Sequence, residues 1–218
     1  MEIEIYSDVV CPWCYIGKRR LERALESYPG DVRLRFRPFQ LDPRPVTKPQ
    51  PLVDALAAKF GGRDQARQIF ARTTQVAAEA GLDLGFDRAV SANTFDAHRL
   101  VWLADQQGRA AETVEVLHRA HFTDGVDVGS HSALADLAAE VGLDRDQVRA
   151  FLDSPAGGPE VRAQLATARE LGISSVPTFV FAGRYAVTGA QEPETLRAVL
   201  DEVARRESAP VADSDSHA

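Results

Sequence analysis

Apolar and polar positions alternate near the start of the chain, pass into a helical stripe, and then alternate again. Ile3 and Ile5 stand among Glu2, Glu4 and Tyr6, and with Val9 and Val10 they form an apolar run that predicts a first strand at about residues 2–6. Ile16, Leu21, Leu25 and Tyr28 fall roughly on one helical stripe. Pro12 opens that stripe, where its missing N–H costs nothing in a first turn, and Pro29-Gly30 stops it. Val32, Leu34 and Phe36 then alternate with Arg33, Arg35 and Arg37, the pattern of a half-buried strand. The chain opens as strand, helix, strand.

Pro38, Pro43, Pro45, Pro49 and Pro51 crowd the next stretch, more than a helix or central strand tolerates, and mark a boundary. From Pro51 to about Gln164 the period is helical: Leu52, Val53, Leu56 and Phe60; Ala66, Ile69, Phe70, Thr73 and Val76; Ala97, Leu100, Val101 and Ala104. Asp144 followed by Gln147 resembles a capping box opening a helix through Leu152. Strand signals return at Thr178-Phe179-Val180-Phe181 and, after a turn at Ala182-Gly183-Arg184, at Tyr185-Ala186-Val187, a hairpin pattern. A last helix runs from near Pro193 to about Arg206, and Ser208 to Ala218 read as an unstructured tail. This order predicts an α/β chain with a thioredoxin-like fold and a large all-helical insertion. Residues 1–43 and 165–207 form the thioredoxin-like part, 44–164 the insertion and 208–218 the tail.

The composition of the 218 residues, 44% hydrophobic and 26% charged, is that of an ordinary globular protein. A net charge of -7 argues against a nucleic-acid partner, which needs a basic patch. No apolar run is long enough to span a membrane. The opening Met-Glu-Ile-Glu-Ile lacks the basic and apolar regions of an export signal, so a cytoplasmic location is expected. Neither charge nor pattern selects an oligomeric state.

The chemistry concentrates in Cys11-Pro12-Trp13-Cys14, which holds the chain's only two cysteines. In a reducing compartment such a pair is catalytic, sensing or metal-binding more often than structural. At a helix start, Cys11 would meet unpaired N–H groups and the positive dipole end, an environment in which cysteine pKa values fall to about 3.5–7.5. Cys11 is then the exposed, attacking sulfur. Cys14, one turn in and facing the core, resolves the mixed disulfide. Trp13 reads as a partly exposed docking surface or as an ordinary packing aromatic. The competing reading of the pair is half of a zinc site completed by His118 and His121, although the spacing lacks the compactness of zinc modules. Singly, His98, His118, His121 and His131 read as surface or hydrogen-bonded groups, and His217 lies in the tail.

Ser7 to Lys18, with Cys11-Pro12-Trp13-Cys14 at its centre, and Ser175-Val176-Pro177-Thr178-Phe179-Val180 together resemble the DsbA-like thioredoxin superfamily, in its FrnE-like branch. The resemblance extends through Phe36 to Pro43, Asn93 to Leu100 and Val187 to Gln191, nearly the whole chain except the tail. It implies a thiol-disulfide oxidoreductase acting on a protein or small-molecule disulfide or thiol. It also implies a cis bond at Val176-Pro177 that sets the loop beside Cys11, leaves the Val176 backbone free to pair with substrate and keeps a metal from the dithiol. No metal or organic cofactor is expected, with glutathione a candidate co-substrate. Ser174-Ser175 stand where a glycine is common in the family. The chain also looks like kappa-class glutathione transferases and 2-hydroxychromene-2-carboxylate isomerases, which generally carry serine where Cys11 stands. A glutathione-dependent isomerase or transferase is therefore the alternative enzyme, and a redox-responsive chaperone the non-enzymatic one. Asn93 and Thr94 align with a ligand-facing segment, as substrate contacts or as a helix N-cap.

Overall fold

A computed structural model describes residues 1–208; the expected tail beyond Ser208, with His217, lies outside the described residues. Strands β1 (Glu2–Ser7), β2 (Arg33–Pro38), β3 (Thr178–Phe181) and β4 (Tyr185–Thr188) form one sheet in the order β2-β1-β3-β4. β1 and β2 are parallel, with Ile3 opposite Leu34 and Ile5 opposite Phe36, and α1 (Pro12–Glu26) is their crossover. β3 runs antiparallel to β1, with Tyr6 opposite Thr178, and β4 completes the expected hairpin. That register sets Pro177, just before β3, level with the end of β1 and close to the start of α1.

The alternation on β1 sends Ile3 and Ile5 into a cluster with Leu21 of α1, Phe179 and Phe181 of β3, and Leu196 and Leu200 of α9 (Pro193–Ser208). Burying each such side chain contributes about 1.5–3 kcal/mol. The polar positions pair across the strands instead: Glu4 with Arg37, and Arg35 with both Glu2 and Asp105.

Between β2 and β3 lie α2 (Leu52–Ala57), α3 (Arg63–Glu79), α4 (Phe95–Asp105), α5 (Ala110–Arg119), a π-helical turn (Ala120–Asp124), α6 (His131–Glu140), α7 (Arg145–Asp153) and α8 (Gly158–Glu170). Asp144 caps α7, its carboxylate accepting the Gln147 N–H at 2.8 Å. Leu100, Leu117, Leu134 and Leu152 share one core. Phe70, Phe86 and Phe122 form another with Tyr15 and Ile16, which fastens the insertion onto α1. This is the expected α/β arrangement, a thioredoxin-like fold with an inserted helical block. The expected edge at 164/165 falls inside α8, a continuous helix that packs on both α4 and β2. Helical periodicity alone gives no sign of which neighbours a helix touches.

Arg99 of α4 is buried and spreads its guanidinium over the carbonyls of Phe151, Leu152, Ser154 and Ala156, with Asp96 at 2.7 Å. It thereby closes the C-terminal end of α7. His131 adds a bridge between Asp96 (2.9 Å) and Asp153 (2.7 Å). Partial desolvation disfavours the charged ring, but the two carboxylates outweigh it and hold the His131 pKa above its ordinary value.

Candidate active site

Cys11 and Cys14 are unpaired thiols at the start of α1. Cys11 is the N-cap residue, extended at φ -98° and ψ 111°, and its carbonyl accepts the N–H groups of Cys14 (3.0 Å) and Tyr15 (3.3 Å). Pro12 follows without a donor to leave unpaired. Cys11 Sγ donates weakly to the Val176 carbonyl at 3.8 Å, and the Val176–Pro177 peptide is cis. Beyond it, Pro177 accepts the Gly189 N–H at 2.8 Å and the Thr178 hydroxyl donates to the Ser175 carbonyl at 2.8 Å.

Gly17 permits this close approach. A Cβ there would lie 2.9 Å from Pro177 Cγ and 3.2 Å from Phe179 Cζ, so any side chain forces α1 and the proline loop apart. Gly17→Ala is expected to cost about 1–3 kcal/mol by overpacking. Thermal melts check this; an unchanged melting temperature would mean that the loop yields freely.

Cys11 does not have the exposure expected of it: it is 4% exposed and Cys14 2%. The chain after β2 folds back over the residues preceding the dithiol. Phe39 N–H donates to the Ser7 carbonyl (3.0 Å), Leu41 N–H to Asp8 Oδ2 (2.8 Å), and His98 Nε2 to the Phe39 carbonyl (3.0 Å). Trp13 stands out at 42% exposure, and Leu41, tied to Asp8, at 43%. These two leave apolar surface beside a closed sulfur.

Asn93 and Thr94 take part in the same clasp. Asn93 Oδ1 accepts the Phe95 N–H (3.0 Å), capping α4, while its Nδ2 donates to the carbonyls of Pro43 (3.2 Å) and Arg44 (2.9 Å). Gln40 Nε2 reaches Asn93 Oδ1 and Thr94 Oγ1, both at 3.4 Å. Thr94 is the N-cap residue by position, yet its hydroxyl caps nothing. The capping role thus falls to Asn93, and its amide and the Thr94 hydroxyl hold the strap in place.

Burial raises the Cys14 pKa well above the ordinary thiol value; the Cys11 sulfur adds to this, and the Asp8 charge opposes the thiolate while the Asp8 backbone favours it. Further along α1 a polar cluster draws on both parts of the chain. Tyr15 donates to Glu115 Oε1 (2.8 Å), Lys18 Nζ to Glu22 and Glu115 (both 2.6 Å), and Arg19 to Glu115 (2.7 Å). Burial works against the Glu115 anion, but Lys18 and its other donors hold its pKa below the usual range. His118 stacks on Tyr15 at 4.9 Å and faces the Asp8 carbonyl at 3.4 Å, and burial takes its pKa down to about 3. His121, expected at the surface or hydrogen-bonded, is neither: it is fully buried on the π-helical turn against Phe122, and neither ring nitrogen has a partner. Its pKa falls to about 4 through burial. The π-turn rotates His121 inward, and sequence spacing does not reveal such a turn. Among the described residues no three His, Cys, Asp or Glu side chains group to hold a metal ion, and no helix is long and apolar enough to cross a membrane.

Asp8, Gly17 and His98 are the site residues that pattern reading passed over or left generic. A glycine inside a helix costs about 1 kcal/mol relative to alanine, so Gly17 signals a close approach. A lone acid in the apolar run before the cysteines signals a buried carboxylate.

The chain belongs to the DSBA-like thioredoxin domain family, whose model matches residues 2–201. The crystal structure of a probable DsbA oxidoreductase from Streptomyces coelicolor is similar over 100% of this chain and 95% of that one, at 38% identity and a TM-score of 0.90. Two more distant structures share the fold. One is 2-hydroxychromene-2-carboxylate isomerase, 18% identical with a TM-score of 0.71 over 97% of this chain and 100% of that one. The other is the cytosolic disulfide reductase DsbM of Pseudomonas aeruginosa, solved with GSH, 21% identical with a TM-score of 0.68 over 94% and 100%.

Proposed function

We propose that this protein is a thiol-disulfide oxidoreductase working through Cys11 and Cys14. The observation that carries the reading is the placement of Cys11 as the N-cap of α1, its sulfur 3.8 Å from the Val176 carbonyl beside the cis Pro177. The aligned peptide dipoles of α1 favour negative charge at that end, and the thiolate is the attacking form of the sulfur. Cys11 attacks a substrate disulfide and forms a mixed disulfide. Cys14, whose raised pKa keeps it protonated at rest, attacks Cys11 in turn and releases the substrate thiol. Pro177 and Val176 shape the groove, and Trp13 with its exposed face offers apolar contact.

The same proposal includes membership of the FrnE-like branch, a cytoplasmic setting and glutathione as a co-substrate. The description of DsbM as cytosolic, and its structure with GSH, support the last two. Asn93 and Thr94 contribute by fixing the strap rather than by free polar atoms of their own. The two parts of the chain, 1–43 with 165–207 and 44–164, divide the work: the first carries the sulfurs and most of the strap, and the second holds that strap through Asn93, Thr94 and His98.

The test is a trap. With Cys14→Ser in a cell extract, the partner stays bound to Cys11 as a mixed disulfide that dithiothreitol releases. Recovery of glutathione or a protein on Cys11 supports the reading, whereas a Cys14→Ser variant that accumulates no adduct and keeps full turnover overturns it.

A further inference from the structure

Three long cationic side chains are buried among the described residues: Lys18, Arg20 and Arg99. Lys18 is held by Glu22 and Glu115, and Arg99 closes α7. Arg20 serves neither purpose. It follows Gly17 on α1 at a spacing that makes the two neighbours on one helix face. That face meets the loop after β4. A Cβ on Gly17 would lie 3.5 Å from Ala190 Cα, and Arg20 Nη1 donates to the Ala190 carbonyl at 2.5 Å. Arg20 Nη2 pairs with Glu192 Oε1 at 2.8 Å, on a carboxylate side chain that is 62% exposed.

The loop is closed on itself. Gln191 N–H donates to the Gly189 carbonyl (2.9 Å) and Gln191 Nε2 to the Thr188 carbonyl (2.8 Å), while the Glu192 carbonyl accepts the Leu196 N–H of α9 (3.0 Å). From this turn the Gly189 N–H reaches the Pro177 carbonyl at 2.8 Å. The residue before Pro177 is Val176, whose carbonyl meets Cys11 Sγ and whose N–H has no backbone partner among the described residues. Cys11 and Arg20 therefore stand at one helix and reach the same stretch of backbone, Cys11 directly and Arg20 through Ala190, Gly189 and Pro177. Burying a guanidinium is costly, and apolar side chains of like volume often hold two elements together as well. What the arginine adds is direction, because a donor fork aimed at one carbonyl fixes where the loop lies along α1.

We propose that Arg20 is a positioning residue for substrates with an extended backbone: by gripping the Ala190 carbonyl it fixes the Val176 backbone at the register where a bound segment meets Val176 and Cys11 together. The proposal rests on the exchange reading above. A peptide disulfide feels this register, because its backbone and its sulfur must be placed at once. A small disulfide that meets only the sulfur does not.

Two chromogenic disulfides read these two demands: 4,4'-dithiodipyridine, and a short unstructured peptide whose single cysteine is joined to 4-thiopyridine. In each, the Cys11 thiolate forms a bond to the sulfur it attacks. The thiopyridine leaves with the electron pair of the broken S–S bond and takes a proton from solvent, so its first release times the attack. Arg20→Met keeps the buried stem and removes the donors. In the reduced full-length protein it is expected to raise the peptide concentration giving half-maximal rate by about tenfold, the worth of about one hydrogen bond. The limiting rate and the attack on dithiodipyridine stay nearly unchanged. Arg20→Lys, which still donates to Ala190, is expected to restore the wild-type value, and Glu192→Gln, at the exposed end of the pair, to leave it unaltered. A merely structural Arg20 would lower the melting temperature and slow attack on both compounds together. That result, or a folded Arg20→Met protein with an unchanged half-saturating concentration, overturns the proposal. Arg20→Gln gives the same readings should the methionine variant not fold. Absence of any release from the reduced wild type would instead sink the exchange reading itself.

Discussion

Replacing Cys11 with serine is expected to reduce insulin-disulfide turnover to the uncatalysed background. A serine hydroxyl occupies nearly the same space at the N-cap of α1, and serine is itself a good N-cap residue, so the fold should survive. What disappears is the thiol placed beside the Val176 carbonyl, since an alcohol does not exchange with disulfides. Cys14→Ser should fail differently: attack still occurs, turnover stops, and the adduct persists. The pair of variants separates the competing functions. A glutathione-dependent isomerase keeps its activity without Cys14, and a chaperone keeps suppressing aggregation without either sulfur. Residual insulin turnover in a correctly folded Cys11→Ser protein would remove the dithiol from the mechanism.

The second large effect is on stability. Arg99→Ala is expected to lower the unfolding free energy by about 3–5 kcal/mol, the cost of removing one partner from a buried charged network. Four carbonyls at the end of α7 and the loop after it lose the guanidinium together, Phe151 keeping its Ser154 donors, and Asp96 loses its guanidinium. Arg99→Lys should recover little, because a single ammonium cannot follow the planar fork across those carbonyls. Against a total stability of about 5–15 kcal/mol, such a loss is a large fraction of the whole. Urea titration measures it. A change below about 1 kcal/mol would mean that solvent replaces the guanidinium without penalty.

Arg99 and His98 also show where pattern reading stops. Both stand in Asn93 to Leu100, a segment quoted for its family resemblance, and one closes α7 while the other faces Asp8. Nothing in a helical period distinguishes a structural arginine from a histidine turned to the dithiol. The resemblance located the segment, and the packing divided its roles.

The chain's local patterns determined the elements: the alternations of β1, β2 and the β3–β4 hairpin, the stripes of the helical block, the Asp144 cap, and the Cys-Pro-Trp-Cys start of α1. Local rules reach this far because side-chain period, proline geometry and capping act within a few residues. Tertiary structure alone decided that β3 lies beside β1, that α8 packs on both α4 and β2, that Cys11 is buried, and that the strap from Phe39 to Arg44 is tied to Ser7, Asp8 and Asn93. It also decided that Asp8, His118 and His121 are buried together. Burial and pairing of a polar group depend on which distant element covers it, and residues 33, 110 and 165 positions apart in sequence meet here through one sheet register and two cores.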